Sequence, residues 1–210
     1  MLEKSYDDGT VKKEERSLTL AIAKVVRVVT IPPVMVSALV IILRFAKDNV
    51  ITNTWEMAMA LLCLAVVPIL AYPLQKLIPA LNKKGREAQR NLAIALSAAG
   101  YLAGWLYGVI AGCNNNLMLI FGTYLLSVIL LLVCNKVLKL RASGHACSIS
   151  GPIVFLSYFL GFGASIICIL LYGIILWASL KLKRHTLKDF LTGTVACVVA
   201  FLCNYLIYVV

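Results

Sequence analysis

Residues 148–180 read SISGPIVFLSYFLGFGASIICILLYGIILWASL, an apolar run without a charged side chain. A helix needs about 20 apolar residues to cross a bilayer, so the run is too long for one crossing. The GFG at residues 161–163 is the natural place for a break, because glycine adopts turn conformations at little cost. The run therefore predicts two membrane spans, near residues 147–161 and 164–180.

The rest of the chain has the same character. It has 210 residues, 61% of them hydrophobic, and a mean hydropathy of +0.92. A soluble domain is usually less than about half apolar. We expect an all-α fold, a polytopic transmembrane helix bundle with seven spans, or six if the first lies in the membrane interface. The five further spans are predicted at residues 30–45, 54–81, 91–112, 117–137 and 189–210.

The N-terminal residues differ from this pattern. They are charged and of mixed sign, and they lack the basic start, short apolar core and small-residue cleavage site of a signal peptide. We interpret residues 1–27 as a charged tail with an amphipathic lead-in, and residues 28–210 as a single transmembrane domain. The seven cysteines are scattered without CxxC spacing, which indicates buried free thiols rather than metal or disulfide chemistry.

The formal net charge is +11. Basic residues are not interleaved with aromatics along a groove, so we expect no nucleic-acid partner and favour anionic lipid or an anionic ligand. Three polar loops, at residues 82–90, 139–145 and 181–189, are separated by two crossings each and therefore share one side of the membrane. The positive-inside rule makes this side cytoplasmic. We expect a multi-pass protein of a bacterial or archaeal type of plasma membrane.

The two histidines of the chain, His145 and His185, lie in two of these loops. His185 and Asp189 are spaced i, i+4, and at the start of a helix such residues share one face. A carboxylate there can accept a hydrogen bond from one ring nitrogen, which fixes the tautomer and leaves the other nitrogen for a substrate. This pattern is typical of an activated histidine nucleophile or base.

The loop around His145 has the features of an anion site. Ser143 and Gly144 precede a predicted helix, whose first N–H groups and dipole attract anions. His145 is then placed to protonate a leaving oxygen as a general acid. Lys83 and Arg90 add cations from the first loop. Together these residues predict a phosphate pocket with two histidines and one orienting carboxylate.

The three loops resemble the motifs of the type-2 phosphatidate phosphatase family, the membrane lipid phosphate phosphatases. That pattern is Lys, six residues, Arg-Pro; then Pro-Ser-Gly-His; then Ser-Arg, five residues, His, three residues, Asp. The resemblance covers roughly residues 80–205. Asn91 and Ala142 stand in place of the two prolines, and Ser179 in place of the arginine of the third motif. The positions that match are Lys83, Arg90, Ser143, Gly144, His145, His185 and Asp189.

The resemblance implies a phosphatidate-phosphatase-like core and a metal-independent hydrolase without a cofactor. The substrate would be a lipid phosphomonoester or diphosphate of the phosphatidate, phosphatidylglycerol phosphate or polyprenyl phosphate class. His185 would attack phosphorus and form a phosphohistidine, Asp189 would orient it, and His145 would protonate the leaving alcohol. The cations and amides of the first two motifs would stabilise the phosphoryl charge, and Lys181 could replace the missing arginine. No obligate protein partner is expected.

Two other classes of function stay open. The replaced prolines and arginine favour a family member with weakened catalysis, which would bind or transport an anionic lipid or small phosphate compound. An unrelated small transporter or scaffold would usually show mid-span polar residues or broken helices in matching halves. A prenyltransferase is disfavoured because its metal-diphosphate site needs clustered aspartates, and Asp189 is the only aspartate after Asp48.

Overall fold

The computed structural model describes residues 17–83 and 85–210, apart from the side chains of residues 80, 81 and 86. All regular secondary structure in these residues is helical. The charged tail, residues 1–16, lies outside the described residues. The helices are α1 Ser17–Val29, α2 Pro32–Ala46, α3 Thr54–Leu77, α4 Pro79–Lys83, α5 Gly85–Ala111, α6 Asn115–Val137, α7 Gly144–Leu160, α8 Phe162–Lys181 and α9 Leu187–Tyr208.

The long apolar run of the sequence forms the helical hairpin of α7 and α8. Its break falls at Gly161, with φ 81° and ψ −161°, and Gly161 both ends α7 and begins α8. A residue with a Cβ would be strained at this φ, so the glycine is what allows the turn. The predicted break is therefore confirmed, and the two helices pack against each other.

α6 is the central and most buried of the long helices. It packs against α5, α7 and α9, and large side chains such as Phe121 and Tyr124 are fully buried. α5 can approach α6 closely because Gly104 has no side chain: a Cβ there would lie 2.9 Å from the Phe121 ring. Small residues at such crossings bring helix backbones together in a membrane, where dispersion rather than water release favours association.

Five of the described helices are long and apolar enough to cross a membrane: α3, the part of α5 from Glu87, α6, α8 and α9. A sixth is obtained if α1 and α2, bent by 54° at their junction, count as one broken span. The sequence predicts six to seven, and the difference is α7. With 17 residues it is about 26 Å long, somewhat short of the roughly 30 Å hydrocarbon core.

The N-terminal boundary predicted at residue 27 falls inside α1. This helix is exposed along much of its length, and its last turn leads into the bend at residues 30–31 before Pro32 and Pro33. Val26 packs against a buried cluster formed by Met35, Ala146, Ile149, Ile175 and Phe190. The last turns of α1 are thereby held against the beginnings of α7 and α9.

Candidate functional site

A cavity of about 430 Å³ lies at the end of the bundle where α7 and α9 begin. Its walls come from the ends of α1, α2 and α7 that face this side, from the second half of α3, α5 up to Tyr101, α6, and the segments before α7 and α9. The part of its lining that lies toward the core carries hydroxyl groups, from Ser97, Tyr101, Ser127 and Ser148. The lining also carries four guanidinium and two imidazole side chains: Arg27, Arg90, Arg141, Arg184, His145 and His185. Among the described lining residues none is an aspartate or glutamate.

Ser143 begins α7 and explains why the helix starts there. Its backbone is extended, with φ −81° and ψ 112°, and its Oγ accepts a hydrogen bond of 3.2 Å from the Ala146 N–H. Gly144 and His145 follow as the first two helical residues and line the cavity. Their N–H groups have no acceptor within the helix, so this end of α7 presents positive partial charge to the cavity.

His145 carries an unsatisfied group at this position. Its Nε2 atom is buried and has no hydrogen-bond partner among the described residues. A buried nitrogen without a partner is costly, because the desolvation of a polar group is not repaid. A ligand with an acceptor or donor in the cavity would satisfy it.

α9 begins with a capping box. The Thr186 Oγ1 accepts a hydrogen bond of 3.1 Å from the Asp189 N–H, and the Asp189 Oδ2 accepts one of 3.2 Å from the Thr186 N–H. His185 therefore lies just before the N-cap, outside the helix, whereas the i, i+4 interpretation placed it on the same helical face as Asp189. The carboxylate of Asp189 is buried and lies behind the cavity lining, where it caps α9.

The imidazole of His185 is shifted toward its neutral form. Burial is the largest influence and lowers its pKa below the ordinary 6.5, and the positive charge of Arg27 lowers it further. Asp189 raises it, while Arg90 and Arg141 add smaller depressions. The balance leaves His185 unprotonated at neutral pH, which is the form that can act as a nucleophile.

The two histidine segments are joined at their backbones. The Ser143 N–H donates a hydrogen bond of 2.9 Å to the Asp189 carbonyl oxygen. Gly193, one turn further along α9, faces the same segment: a Cβ there would overlap the Ser143 carbonyl oxygen and lie 3.2 Å from the Cys147 nitrogen. The close approach of α9 to the start of α7 thus depends on a residue without a side chain.

Arg90 is placed by the end of α6. Its Nη2 donates to the Asn135 Oδ1 and, at 3.3 Å, to the Ala142 carbonyl oxygen. Asn135 lies in the π-helical last turn Val133–Val137, and its Nδ2 donates to the Leu131 carbonyl oxygen at 2.8 Å. The wider π turn presents this amide toward Arg90. One side of the guanidinium is held by protein acceptors, which orients Arg90 along the cavity wall.

Lys83, Lys181 and Ser179 take no part in the lining. Lys83 ends α4 and Lys181 ends α8, and both side chains are exposed outside the cavity walls. Ser179 is 1% exposed, and its Oγ is buried without a partner among the described residues. The structure thus brings Arg90, Gly144, His145 and His185 to one cavity, with Ser143 and Asp189 directly behind, and leaves the two predicted lysines apart.

Three arginines of the cavity were not predicted as site residues. Arg141 and Arg184 are each close in sequence to a motif, and this adjacency was the available signal. Arg27 lies far from the motifs, in α1, and its only signal is a single cation among apolar residues, VVRVV at 25–29. The same pattern is equally typical of an arginine whose side chain extends to the membrane surface and binds nothing.

The fold and cavity together define a class, a helical protein with five helices long and apolar enough to cross a membrane and a cationic cavity at one end of the helix bundle. Comparison of the chain with protein-family models, with curated proteins and with solved structures gives no match. The chemistry of this cavity is therefore argued below from its own residues.

Proposed function

We propose that this chain is an integral membrane phosphatase that hydrolyses a lipid phosphate in the cationic cavity. The observation that carries the proposal is the convergence of two histidines and four arginines on one cavity of about 430 Å³. Guanidinium groups suit phosphate oxygens because they offer paired donors in a fork. The volume is within the usual range of small-molecule sites, roughly 300–1,000 Å³.

In the proposed reaction, neutral His185 attacks phosphorus and an N–P bond forms as the P–O bond to the lipid alcohol breaks. Burial and the charge of Arg27 lower the pKa of His145 to about 3, so its imidazole is neutral at pH 7 in the unliganded protein. The negative charge of the bound phosphate opposes both effects, and in this complex His145 takes up the proton that it gives to the departing oxygen. Water then attacks phosphorus and gives a proton back to His145, the N–P bond breaks, and inorganic phosphate leaves with the His185 imidazole restored. Charge on the transferring phosphoryl group is stabilised by the arginines and the free N–H groups at the start of α7, where most of the rate enhancement would arise.

Asp189 contributes mainly by position in this proposal. Its charge raises the pKa of His185, which favours the imidazolium and opposes the effect of burial. Its carboxylate also fixes the first turn of α9 immediately after His185. Loss of the carboxylate would therefore change both the orientation and the basicity of the nucleophile.

A second function is favoured by the third motif. Ser179 offers no cation to the cavity, and the Asp189 carboxylate is already engaged in the capping box. These features favour a protein that binds or transports an anionic lipid or small phosphate compound without hydrolysis. The loss of one phosphate-binding cation can reduce transition-state stabilisation by several kcal/mol, on the order of 3–4.

Phosphate release by the purified protein in detergent decides between the two. The panel contains phosphatidate, phosphatidylglycerol phosphate and polyprenyl mono- and diphosphates, with a chelator present. We expect turnover by the wild type and by Lys136→Gln, a charge-loss control exposed at the same end of the bundle. His185→Ala should release no phosphate while unfolding at the wild-type temperature. Absence of turnover in the folded wild type on the whole panel would favour the binding function.

The cavity is placed on the cytoplasmic face in this proposal, because the basic loops gather at its end of the bundle. A Lys136→Cys variant tests the orientation with a membrane-impermeant thiol reagent, and the wild type corrects for native cysteines. Labelling is expected in inverted vesicles and not in right-side-out vesicles. The reverse pattern would place the cavity on the outer face.

A further inference from the structure

We propose that Arg27, from the N-terminal helix α1, supplies the phosphate-binding guanidinium that position 179 lacks. The ligand identity rests on the proposed function, but the binding role of Arg27 is testable without any turnover. Arg27 lies outside residues 80–205, the part of the chain that carries the motif resemblance. The site would then be completed by a segment that those motifs do not include.

The first observation is a buried guanidinium nitrogen of Arg27 that has no hydrogen-bond partner among the described residues. Arg27 lines the cavity, and this nitrogen is its Nη1. An arginine within an apolar helix normally reaches water, a carboxylate or backbone carbonyls, because an unpaired buried charge is costly. A ligand in the cavity with acceptor oxygens would provide what this nitrogen lacks.

The second observation is the positive charge of the groups that surround Arg27. The positive charge of Arg27 acts on the imidazoles of both His145 and His185, and Arg184 acts on Arg27 itself. Among the described lining residues none carries a carboxylate that could neutralise this group. Repulsion between such cations is relieved by an anion between them, and a phosphoryl group carries the required charge and acceptors.

The third observation is the local support for Arg27. The neighbouring Val26 packs against the cluster that contains Ala146 and Phe190, near the starts of α7 and α9. The Thr30 hydroxyl donates a hydrogen bond of 2.7 Å to the Val26 carbonyl oxygen, which holds the last turn of α1 before the bend. Arg27 therefore extends from a fixed turn and not from a loose tail, so binding has to order its side chain but not its backbone.

Position 179 cannot perform this role with the residue it has. Ser179 is 1% exposed and has a single short hydroxyl, which is buried without a partner. A serine carries no charge and cannot bridge two phosphate oxygens. Arg27 offers the missing chemistry from α1, on a chain segment more than 150 positions away in sequence.

Inorganic phosphate is the probe for the experiment, measured by calorimetry on the full-length protein in detergent at constant ionic strength. Arg27→Gln removes the charge, Arg27→Lys keeps the charge without the fork, and Lys24→Gln removes an exposed charge one turn earlier on α1. We expect phosphate binding to weaken about ten- to a hundredfold in Arg27→Gln, the usual cost of a charge-assisted hydrogen bond. Arg27→Lys should be intermediate, and Lys24→Gln should bind like the wild type.

Two results would overturn the inference: wild-type phosphate affinity in Arg27→Gln, or equal weakening in Arg27→Gln and Lys24→Gln, which would indicate only a general field effect. If Arg27→Gln does not fold, Arg27→Lys carries the test, and unchanged affinity there overturns it. The outcome is separate from that of the proposed function. Phosphate binding that depends on Arg27 in a protein without turnover supports the inference and refutes hydrolysis. Turnover and phosphate affinity that are both unaffected by Arg27→Gln would support hydrolysis and refute the role of Arg27.

Discussion

Replacement of Gly193 by alanine is the sharpest test of how the site is assembled. A Cβ at this position would overlap the Ser143 carbonyl oxygen and lie 3.1 Å from the Ser143 carbonyl carbon and 3.2 Å from the Cys147 nitrogen. Ordinary van der Waals contact begins at 3.4 Å, and all three atoms are backbone atoms that cannot rotate away. α9 and the start of α7 must therefore separate. Overpacking of this kind typically costs about 1–3 kcal/mol.

The displacement also reaches the proposed chemistry. The hydrogen bond of 2.9 Å from the Ser143 N–H to the Asp189 carbonyl oxygen spans the same contact. A shift of about 1 Å between a nucleophile and its partners can reduce a rate about a hundredfold. We expect Gly193→Ala to weaken phosphate affinity and to lower kcat/KM for phosphate release by about ten- to a hundredfold.

Gly173→Ala is the matched control, because a Cβ at this position in α8 meets nothing within 4 Å. It should retain phosphate affinity and phosphate release, and it should unfold at the wild-type temperature or slightly above, since alanine favours helices. The assays are thermal unfolding in detergent, calorimetry with inorganic phosphate, and phosphate release. A Gly193→Ala protein with wild-type values in all three would refute the argument that this close contact positions the site.

Three further predictions follow from the structure. Because the pKa of His185 is lowered from 6.5, its imidazole is neutral near pH 7 and becomes protonated only at lower pH. We therefore expect kcat/KM to be constant near pH 7 and to decrease as the pH is lowered below 6.5; a decrease that has already begun above pH 7 on acidification would contradict this. Asn135→Ala frees Arg90 on one side, and we expect about threefold to tenfold weaker phosphate binding by calorimetry, whereas unchanged affinity would mean that Asn135 does not orient Arg90. Thr186→Ala removes the cap of α9 and should destabilise the protein by about 0.5–2 kcal/mol in denaturant unfolding. Thr192→Ala, at a half-buried residue whose hydroxyl donates to the Lys188 carbonyl oxygen within α9, should have little effect; equal effects would exclude a specific capping role.

The sequence predicts most of the helices because their lengths and apolar runs are set by the bilayer. The break at Gly161 could be located because the two glycines of GFG lie near the middle of an uncharged run that is too long for one crossing. The sequence did not predict the bend between α1 and α2 or the short length of α7, because both depend on packing against other helices. The π-helical turn at the end of α6 also has no clear signal in its sequence, VCNKV.

Site residues could be predicted where a side chain of suitable chemistry also lies in a segment whose place in the fold follows from the sequence. The two histidines and Arg90 lie in segments predicted as loops, whose common side follows from the number of predicted crossings between them, and all three line one cavity. Lys83 and Lys181 were selected by spacing alone, and spacing does not determine whether a flexible side chain points into a cavity or into solvent. Arg27 could not be selected at all, because its place in the cavity results from the tertiary contact of Val26 with the starts of α7 and α9.

The positive charge of the cavity limits how many cations the fold can hold there. Arg27, Arg90, Arg141 and Arg184 share one small space, and each further cation would raise the repulsion in the unliganded protein. If Arg27 binds the ligand as proposed, α1 supplies the guanidinium that the motif resemblance leads one to expect at position 179, and the cavity reaches its cationic charge without a fifth arginine.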